Sequence, residues 1–199
     1  MDIAALALYL LWALLAFGWR TIDQRRRTGD SGLRLHAQPN TPQWWAKIGF
    51  GIAILVGFAA PIAAVVGLGN IAALDATWLH IAGIVVTVAG IALTVAAQYS
   101  MGGSWRIGVD PQERTELVTD GTFRLVRNPI FTAMLITATG LAAIIPNFVS
   151  LVGLAALIAA LEVQVRLVEE PYLLDAHGDR YRAYAQTAGR FAPGVGRNR

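Results

Sequence analysis

Residues suited to chemistry lie in two polar stretches of an otherwise apolar chain. One runs from Glu113 to Phe131 with the sequence ERTELVTDGTFRLVRNPIF, and the other contains Arg166, Glu169 and Glu170. An arginine can bind a carboxylate through two parallel hydrogen bonds, and a glutamate can accept hydrogen bonds from an ammonium group. The two stretches therefore offer charged groups for ligand binding in a chain that has few of them.

Other kinds of active site are excluded by what the chain lacks. It has no cysteine, so it has no thiol nucleophile, no disulfide and no cysteine-ligated metal. His36, His80 and His177 do not occur at metal-ligand spacing, and we expect no metal site. The stretch GLGNIA at 67–72 has the letters of a dinucleotide-binding loop but no βαβ context, so we expect a turn.

The elements that position the charged groups are predicted to be membrane helices. Of 199 residues, 55% are hydrophobic and 15% are charged, and the mean hydropathy is +0.51, which indicates an integral membrane protein. The first apolar segment lacks a basic start and a cleavage site, so we expect it to be retained, with Arg20 at its end. We predict an all-α fold with five membrane segments, at Ile3–Phe17, Trp44–Leu68, Trp78–Ala97, Ile130–Ile145 and Phe148–Leu161.

The last two segments are predicted to form a short helical hairpin. Ile130–Ile145 gives about 24 Å of helix, slightly less than a bilayer core of about 30 Å. Pro146 and Asn147 turn the chain. The second arm is expected to continue as a helix past Glu162 and Arg166 into a helical C-terminal tail.

The distribution of basic residues predicts the topology. Stretches 20–47, 100–128 and 166–199 contain all 16 Lys and Arg residues. Under the positive-inside rule these stretches and the tail are cytoplasmic, and the N-terminus lies outside; in a prokaryote the membrane would be the plasma membrane. The formal net charge of +3 is then explained by topology and anionic lipids, and we expect no nucleic-acid partner. Both polar stretches lie on the same membrane face.

Two motifs carry a family resemblance. The stretch LVTDGTFRLVRNPIF resembles the LVTxGxYxxxRHPxY element of the isoprenylcysteine carboxyl methyltransferase family, and of related integral-membrane phospholipid methyltransferases. RLVEEPYLLDAHGDRYRAYAQTAGRF is similar to that family's C-terminal EExxLxxxxGxxYxxY element, and the two matches cover about a third of the chain. The resemblance implies one membrane-embedded domain over 1–199. Its S-adenosylmethionine site is expected within about 100–190, where loop, hairpin and tail meet and a lipid enters between helices.

The resemblance also implies roles for individual residues. The glutamate pair would face the methionine ammonium, Arg127 with Asn128 the methionine carboxylate, and Phe123, Tyr172 or Tyr181 the adenine. The predicted catalytic residues are Arg127, Asn128 and Arg166, with either arginine orienting the acceptor. The predicted cofactor-binding residues are Leu117, Val118, Thr119, Gly121, Phe123, Arg127, Asn128, Pro129, Glu169, Glu170 and Tyr181.

Position 128 bears on the choice of acceptor. Asn128 stands where the family usually has the histidine of RHP, and an asparagine cannot titrate near neutral pH. A carboxylate is already ionised there and needs no general base, whereas an amine must lose a proton. We therefore predict methyl transfer to a lipophilic carboxylate, such as a fatty acid or a prenylcysteine, to form a methyl ester.

Alternatives to this function remain open at the sequence level. One is N-methylation of a phospholipid amine, another is an NADPH-dependent lipid reductase of similar layout, and a third is a non-enzymatic membrane scaffold. The oligomeric state is also open, because small residues along 81–97 could pack helices within or between protomers.

Each candidate residue also has a purely structural interpretation. Asn128 and Pro129 form an N-cap and N1 pair that would open a helix. Arg124 and Arg127 could extend to lipid headgroups, and the glutamate pair could be solvated at the membrane exit. The GGSW stretch at 102–105 is expected to be a turn with an interfacial tryptophan, or a wall of the site.

Overall fold

The computed structural model describes residues 1–110, 113 and 116–197, which are mainly helical. The helices are α1 (Asp2–Thr28), α2 (Pro42–Val65), α3 (Thr77–Ser100), α4 (Pro129–Ile144), α5 (Phe148–His177) and α6 (Asp179–Thr187). Short 3₁₀ turns lie at Ala72–Leu74, Gly102–Ser104 and Gly121–Arg124. The described part of the chain contains isolated bridges but no strand, so the all-α prediction is confirmed.

Four of the helices are long and apolar enough to cross a membrane, namely α1, α2, α3 and α5. The apolar helix α4 is shorter, with 16 residues. Each predicted apolar segment falls on one of these five helices. The predicted and observed ends differ by at most a few residues, except at the C-terminal ends of α1 and α5. The helix α1 extends further than predicted, whereas the extension of α5 beyond the apolar segment was expected.

The first helix does not end at Arg20. It continues to Thr28, so the sequence prediction is wrong at this point. The buried Arg20 guanidinium donates a hydrogen bond to the carbonyl of Gly102 at 2.8 Å, and Gln24 donates to that of Gly103 at 2.8 Å. These bonds to the turn after α3 stabilise a polar helical extension that hydropathy alone does not reveal.

The turn after α3 buries a tryptophan that was expected at the membrane interface. Trp105 is 2% exposed, and the Arg20 guanidinium carbon lies 4.7 Å from the centre of its ring. The protein itself thus covers this ring, and its position at the membrane interface stays a prediction. An arginine stacked on an indole ring makes a cation–π contact, which explains how this ring is covered by a charged residue.

Small residues bring α3 and α4 very close together. A Cβ atom on Gly83 would lie 2.8 Å from the carbonyl oxygen of Gly140, and one on Gly90 would lie 2.6 Å from the backbone nitrogen of Thr137. Backbones can approach in this way only where side chains are absent. The small residues along 81–97 thus pack helices within the chain.

A second helix pair, α2 and α5, packs beside the first, and α1 contacts both pairs. A Cβ atom on Gly153 would lie 3.2 Å from the Cα atom of Gly57, which again indicates close packing. From α1, the hydroxyl of Tyr9 donates to the carbonyl of Ile54 at 2.6 Å, and Trp12 packs edge-on against Tyr9. The bundle core therefore forms between α1 and the two helix pairs.

The turn between α4 and α5 is buried but its polar groups are satisfied. The side chain of Asn147 accepts from the backbone nitrogen of Ser150 at 2.9 Å and so caps α5. The backbone nitrogen of Ile71 donates to the carbonyl of Pro146 at 2.8 Å. The loop between α2 and α3, which contains the predicted GLGNIA turn, therefore covers the hairpin tip at the bundle end opposite to loop 100–128.

The helix α5 runs without a break from the apolar core to the polar tail. A π-helical stretch at Val165–Glu169 precedes Pro171, which lacks a backbone N–H and would interrupt a regular α-helix. The helix ends at Gly178, whose φ is +52°. The expected continuation of the second hairpin arm past Arg166 is thus present, with a π-helical turn at the position of the charged residues.

Candidate active site

The polar loop and the C-terminal tail are joined by backbone hydrogen bonds between two short parallel segments. The backbone nitrogen of Arg127 donates to the carbonyl of Gly189 at 2.7 Å, and that of Asn128 donates to the carbonyl of Arg190 at 3.2 Å. Val126 and Gly189 form an isolated parallel β-bridge between the same two segments. The tail thereby lies against the start of α4, and residues of the two predicted motifs become neighbours.

Arg127 holds three segments together. Only 1% of its side chain is exposed. Its Nη1 donates to the carbonyls of Ala185 and Ala188 at 3.0 and 2.8 Å, which lie at the end of α6. Its Nη2 donates to Glu170 Oε1 at 2.9 Å and to the carbonyl of Gly196 at 3.0 Å. Cations suit the free carbonyls of a helix C-terminus, so both terminal nitrogens serve the structure of the tail.

Glu170 bridges two arginines. Its Oε1 accepts from Arg127 and from Arg190 Nε at 2.7 Å, and its Oε2 accepts from Arg190 Nη2 at 3.0 Å. Hydrogen bonding to this carboxylate raises the pKa of Arg190, which stays charged. Both oxygens of Glu170 are thus engaged by arginines in the structure itself.

Glu169 has a different environment. Its Oε1 accepts one hydrogen bond, from Gln164 Nε2 at 3.0 Å. Within the described residues no arginine forms an ion pair with it. The Glu169 carboxylate therefore keeps more capacity to accept hydrogen bonds from a ligand than Glu170 does.

An apolar surface lies next to these charges. Phe123, Tyr181 and Tyr184 are buried together, with Leu117 and Val118 packed against them. The Tyr184 hydroxyl donates to the carbonyl of Phe123 at 2.7 Å. Burial raises the pKa of Tyr181 to about 12 and also raises the pKa of Tyr184, so both hydroxyls stay protonated at neutral pH. The structure thus groups four predicted cofactor-binding residues, Leu117, Val118, Phe123 and Tyr181, into one apolar cluster.

Asn128 and Pro129 open α4 as its N-cap and first residue, as predicted. Asn128 occupies the N-cap position without a capping hydrogen bond, and its Nδ2 donates to the carbonyl of Arg190 at 3.0 Å. One turn later, the hydroxyl of Thr132 donates to the carbonyl of Phe191 at 2.8 Å. The predicted N-cap and N1 positions are confirmed, and the Asn128 side-chain amide holds the tail.

Thr119 and Gly121 lie at the edge of this region. Gly121 has a φ of +60° and begins the 3₁₀ turn of the loop, where an added Cβ atom would lie 3.0 Å from Ser100 Oγ. A residue with a side chain would be strained there, so this glycine allows the loop to approach the end of α3. Thr119 is half-buried just before the turn.

The structure does not bring Arg166 to the arginine–glutamate cluster. Its side chain is 55% exposed and pairs with Glu162 on the outer surface of α5. Residues four apart share a face in a regular α-helix, so an unbroken α-helical turn would place Arg166 and Glu170 on the same face. The π-helical stretch at 165–169 widens this turn, so that Arg166 is exposed while Glu170 is partly buried.

Sequence reasoning missed two residues of the site. Arg190 supplies two hydrogen bonds to Glu170, and it lies in the GRF end of the matched C-terminal motif, so its position was a usable signal. Thr132 binds the tail through its hydroxyl, but a threonine in the first turn of an apolar helix gave no such signal. Both residues fasten the tail to the rest of the cluster.

A family model for phospholipid methyltransferases matches residues 78–180. This range covers just over half of the 199 residues and includes the polar loop, the hairpin and the glutamate pair. The chain belongs to the phospholipid methyltransferase family. Family membership together with the four apolar helices makes it an integral membrane protein.

Two proteins of Arabidopsis thaliana are similar to this family member. Protein-S-isoprenylcysteine O-methyltransferase A is 29% identical over 120 residues, which is 59% of this chain and 61% of the relative. Protein-S-isoprenylcysteine O-methyltransferase B is 27% identical over 111 residues, which is 55% of this chain and 56% of the relative. The matched region thus spans about three fifths of the length of these relatives.

Proposed function

We propose that this phospholipid methyltransferase family member transfers a methyl group from S-adenosylmethionine to a lipophilic carboxylate, forming a methyl ester. The observation that carries the proposal is the similarity to two isoprenylcysteine O-methyltransferases, whose names specify methylation at oxygen. A free fatty acid or a prenylated cysteine would supply the acceptor. The missing histidine at position 128 supports an acceptor that needs no general base.

The residues of the candidate site fit this cofactor. When bound, S-adenosylmethionine would supply a methyl group on a positively charged sulfur. Glu169 would bind the methionine ammonium, because its carboxylate keeps capacity to accept hydrogen bonds. Arg127 Nε is a buried donor without a partner among the described residues, and it would donate to the methionine carboxylate. Phe123 and Tyr181 would line the adenine slot.

Arg166 is the better of the two arginines for orienting the acceptor. The terminal nitrogens of Arg127 bond the tail and Glu170, and its Nε is assigned to the cofactor. The exposed Arg166 guanidinium forms its ion pair with Glu162, and within the described residues it has no other side-chain hydrogen-bond partner. A planar guanidinium binds both oxygens of a carboxylate. On the outer surface of α5 it would be reached by a lipid from the membrane, and the chain's task is then to align the acceptor and exclude water.

The membrane arrangement belongs to the same proposal. We infer five membrane segments in one domain, with the short α4 as the first arm of the hairpin. The three basic stretches would face the cytoplasm, with the plasma membrane as the location in a prokaryote. The candidate site would then open toward the cytoplasmic pool of cofactor.

The name of the matched family supports a second acceptor class, a phospholipid, and its amine is the alternative acceptor that we consider. A set of binding and activity assays separates the possibilities. Calorimetry of the detergent-solubilised protein should detect S-adenosylhomocysteine and not NADPH. Binding of NADPH alone would favour a lipid reductase, and binding of neither ligand would favour a scaffold.

The acceptor is then tested by methyl transfer to a long-chain fatty acid, a prenylated cysteine and phosphatidylethanolamine in parallel. For a carboxylate the rate should be nearly flat from about pH 6 to 9, because an acid of pKa about 4–5 is ionised throughout. The same pH profile is measured for Glu169→Gln. Any dependence of the rate on pH that comes from titration of the Glu169 carboxyl group should be absent in this variant. Methylation of the amine alone, at a rate that rises about tenfold per pH unit below the amine's pKa, would reject the carboxylate.

A further inference from the structure

Gln164 is a buried polar residue of the apolar helix α5, and the proposed methyl transfer gives it no role so far. The residue is 9% exposed, and its Nε2 donates to Glu169 Oε1 at 3.0 Å. A buried amide is unfavourable unless its polar atoms find partners, and an aliphatic residue would fill the same space without this requirement. The partner of the Gln164 amide therefore indicates what this side chain does.

The π-helical stretch at Val165–Glu169 brings the two side chains together. In a regular α-helix, residues five apart point in directions about 140° apart, because each residue turns the helix by about 100°. In a π-helix the backbone hydrogen bonds join residues five apart, and here the backbone nitrogen of Glu170 donates to the carbonyl of Val165. Residues five apart then lie on the same side of the helix. The Gln164 amide thus reaches the Glu169 carboxylate across the widened turn.

The chemistry of this hydrogen bond suits a carboxylate that binds a cation. Glu170 is bonded by two arginines, which compensate its charge, whereas the donor that the described residues provide to Glu169 is the neutral Gln164 amide. A neutral donor can hold one carboxylate oxygen in place without compensating the negative charge. A long side chain that is already held in one conformation also loses less freedom when a ligand binds.

We propose that Gln164 is the positioning residue for the Glu169 carboxylate, and that this pair makes the site selective for a cofactor that carries a primary ammonium group. The inference rests on the proposed function, in which Glu169 binds the methionine ammonium of S-adenosylmethionine. Gln164 acts through Glu169 and not by touching the cofactor. The π-helical turn is the local structure that makes this action possible, because it places the amide and the carboxylate on one side of α5.

Calorimetry of the detergent-solubilised full-length protein with two ligands tests the proposal. One ligand is S-adenosylhomocysteine, and the other is the same molecule without its amino group. Gln164→Met keeps the length of the side chain and removes the donor. We expect it to weaken S-adenosylhomocysteine binding about three- to tenfold, the effect of one hydrogen bond, and to change binding of the analogue by less than about twofold. Gln164→Asn, which keeps the amide but shortens its reach, should give the same pattern.

Two further variants make the readout specific. Gln98→Met is the matched control, because Gln98 is 2% exposed and its Nε2 donates at 2.8 Å to the carbonyl of Ala16 and not to a carboxylate. It should lower the melting temperature and leave the affinities for both ligands unchanged. Glu169→Gln should weaken S-adenosylhomocysteine at least about tenfold. Adding Gln164→Met to Glu169→Gln should cause no further loss, because the charge that Gln164 positions is already absent.

Three results would overturn the proposal while the proposed function stands. The first is an equal loss of affinity for both ligands in the Gln164 variants, which would indicate a general change of the site. The second is unchanged S-adenosylhomocysteine binding in these variants while Glu169→Gln still lowers it. The third is a further loss in the double variant, which would show that Gln164 acts independently of Glu169. If the wild-type protein binds neither ligand, the proposed function itself fails, and this inference fails with it.

Discussion

Two adjacent glutamates with the same side chain have different surroundings in this protein. Glu170 is bonded by Arg127 and Arg190, whereas Glu169 accepts a hydrogen bond from Gln164. Because a carboxylate already shared by two arginines has little left to offer a ligand, Glu170 fastens the tail, and we assign the proposed contact with the cofactor's ammonium to Glu169. The motif letters EE do not distinguish these roles.

Exchanging each glutamate for glutamine separates the two roles. Glu170→Gln should lower the free energy of unfolding by about 1.5–3 kcal/mol, because charge-assisted hydrogen bonds to two arginines are lost. Glu169→Gln should leave stability nearly unchanged and weaken S-adenosylhomocysteine binding by a similar energy. Thermal unfolding in detergent and calorimetric titration of both variants provide the measurements. A variant Glu170→Gln that melts normally but loses cofactor would contradict this assignment.

The two candidate arginines, Arg127 and Arg166, also divide into one residue that stabilises the fold and one that is free to bind a ligand in the proposed function. Arg127→Lys should destabilise the protein by about 2–4 kcal/mol, since an ammonium group cannot replace a buried fork that bonds several carbonyls. The tail should then become sensitive to limited proteolysis near Arg190. Arg166→Lys should change stability by less than about 0.5 kcal/mol, as expected for an exposed pair, but should reduce methyl transfer. Normal transfer rates in Arg166→Lys would remove this residue from acceptor binding.

At the level of elements, the contact between α3 and α4 depends on glycine. Gly90→Ala should cost about 1–3 kcal/mol, because its Cβ atom would lie 2.6 Å from the Thr137 backbone nitrogen and the helices would have to separate. Gly51→Ala is the control, since a Cβ atom there meets nothing within 4 Å, and it should be neutral or stabilise α2 by up to about 1 kcal/mol. Thermal unfolding compares the two. Equal effects of both changes would show that close packing is not responsible.

Hydropathy predicts the apolar helices well because burial in lipid requires long apolar segments. It fails at the end of α1, where tertiary bonds from Arg20 and Gln24 to the turn after α3 maintain the helix. It also fails to foresee the π-helical turn at 165–169, which exposes Arg166. Propensity and periodicity describe single segments, and these features arise from contacts between segments.

The candidate site shows the same limit of prediction from sequence. The motif resemblance named Arg127, Asn128 and the glutamate pair, and the structure brings these residues next to the tail. The motif resemblance could not assign hydrogen-bond partners to these residues. The partners of Arg127 and Asn128 include backbone carbonyls at 185–196, which have no sequence signal. Backbone acceptors become visible only when the chain is folded.

The whole molecule separates its charges between two ends. All 16 Lys and Arg residues lie in stretches 20–47, 100–128 and 166–199, and the candidate site lies at that end. The opposite end consists of the α2–α3 loop and the hairpin tip, joined by the bond from Ile71 to Pro146. This asymmetry leads to a definite prediction of membrane topology, because basic loops are retained in the cytoplasm.

Single cysteines test this topology directly, because the natural chain has none and each introduced thiol is the only one. Cysteines at the exposed positions Thr28, Asp120 and Gln186 should react with a membrane-impermeant maleimide only after the cells are permeabilised. A cysteine at the exposed Gly69 should react in intact cells. Denatured samples provide the control that every thiol is present and reactive. If Asp120 and Gly69 react under the same conditions, α3 does not cross the membrane, and the candidate site cannot lie on the face opposite to the hairpin tip.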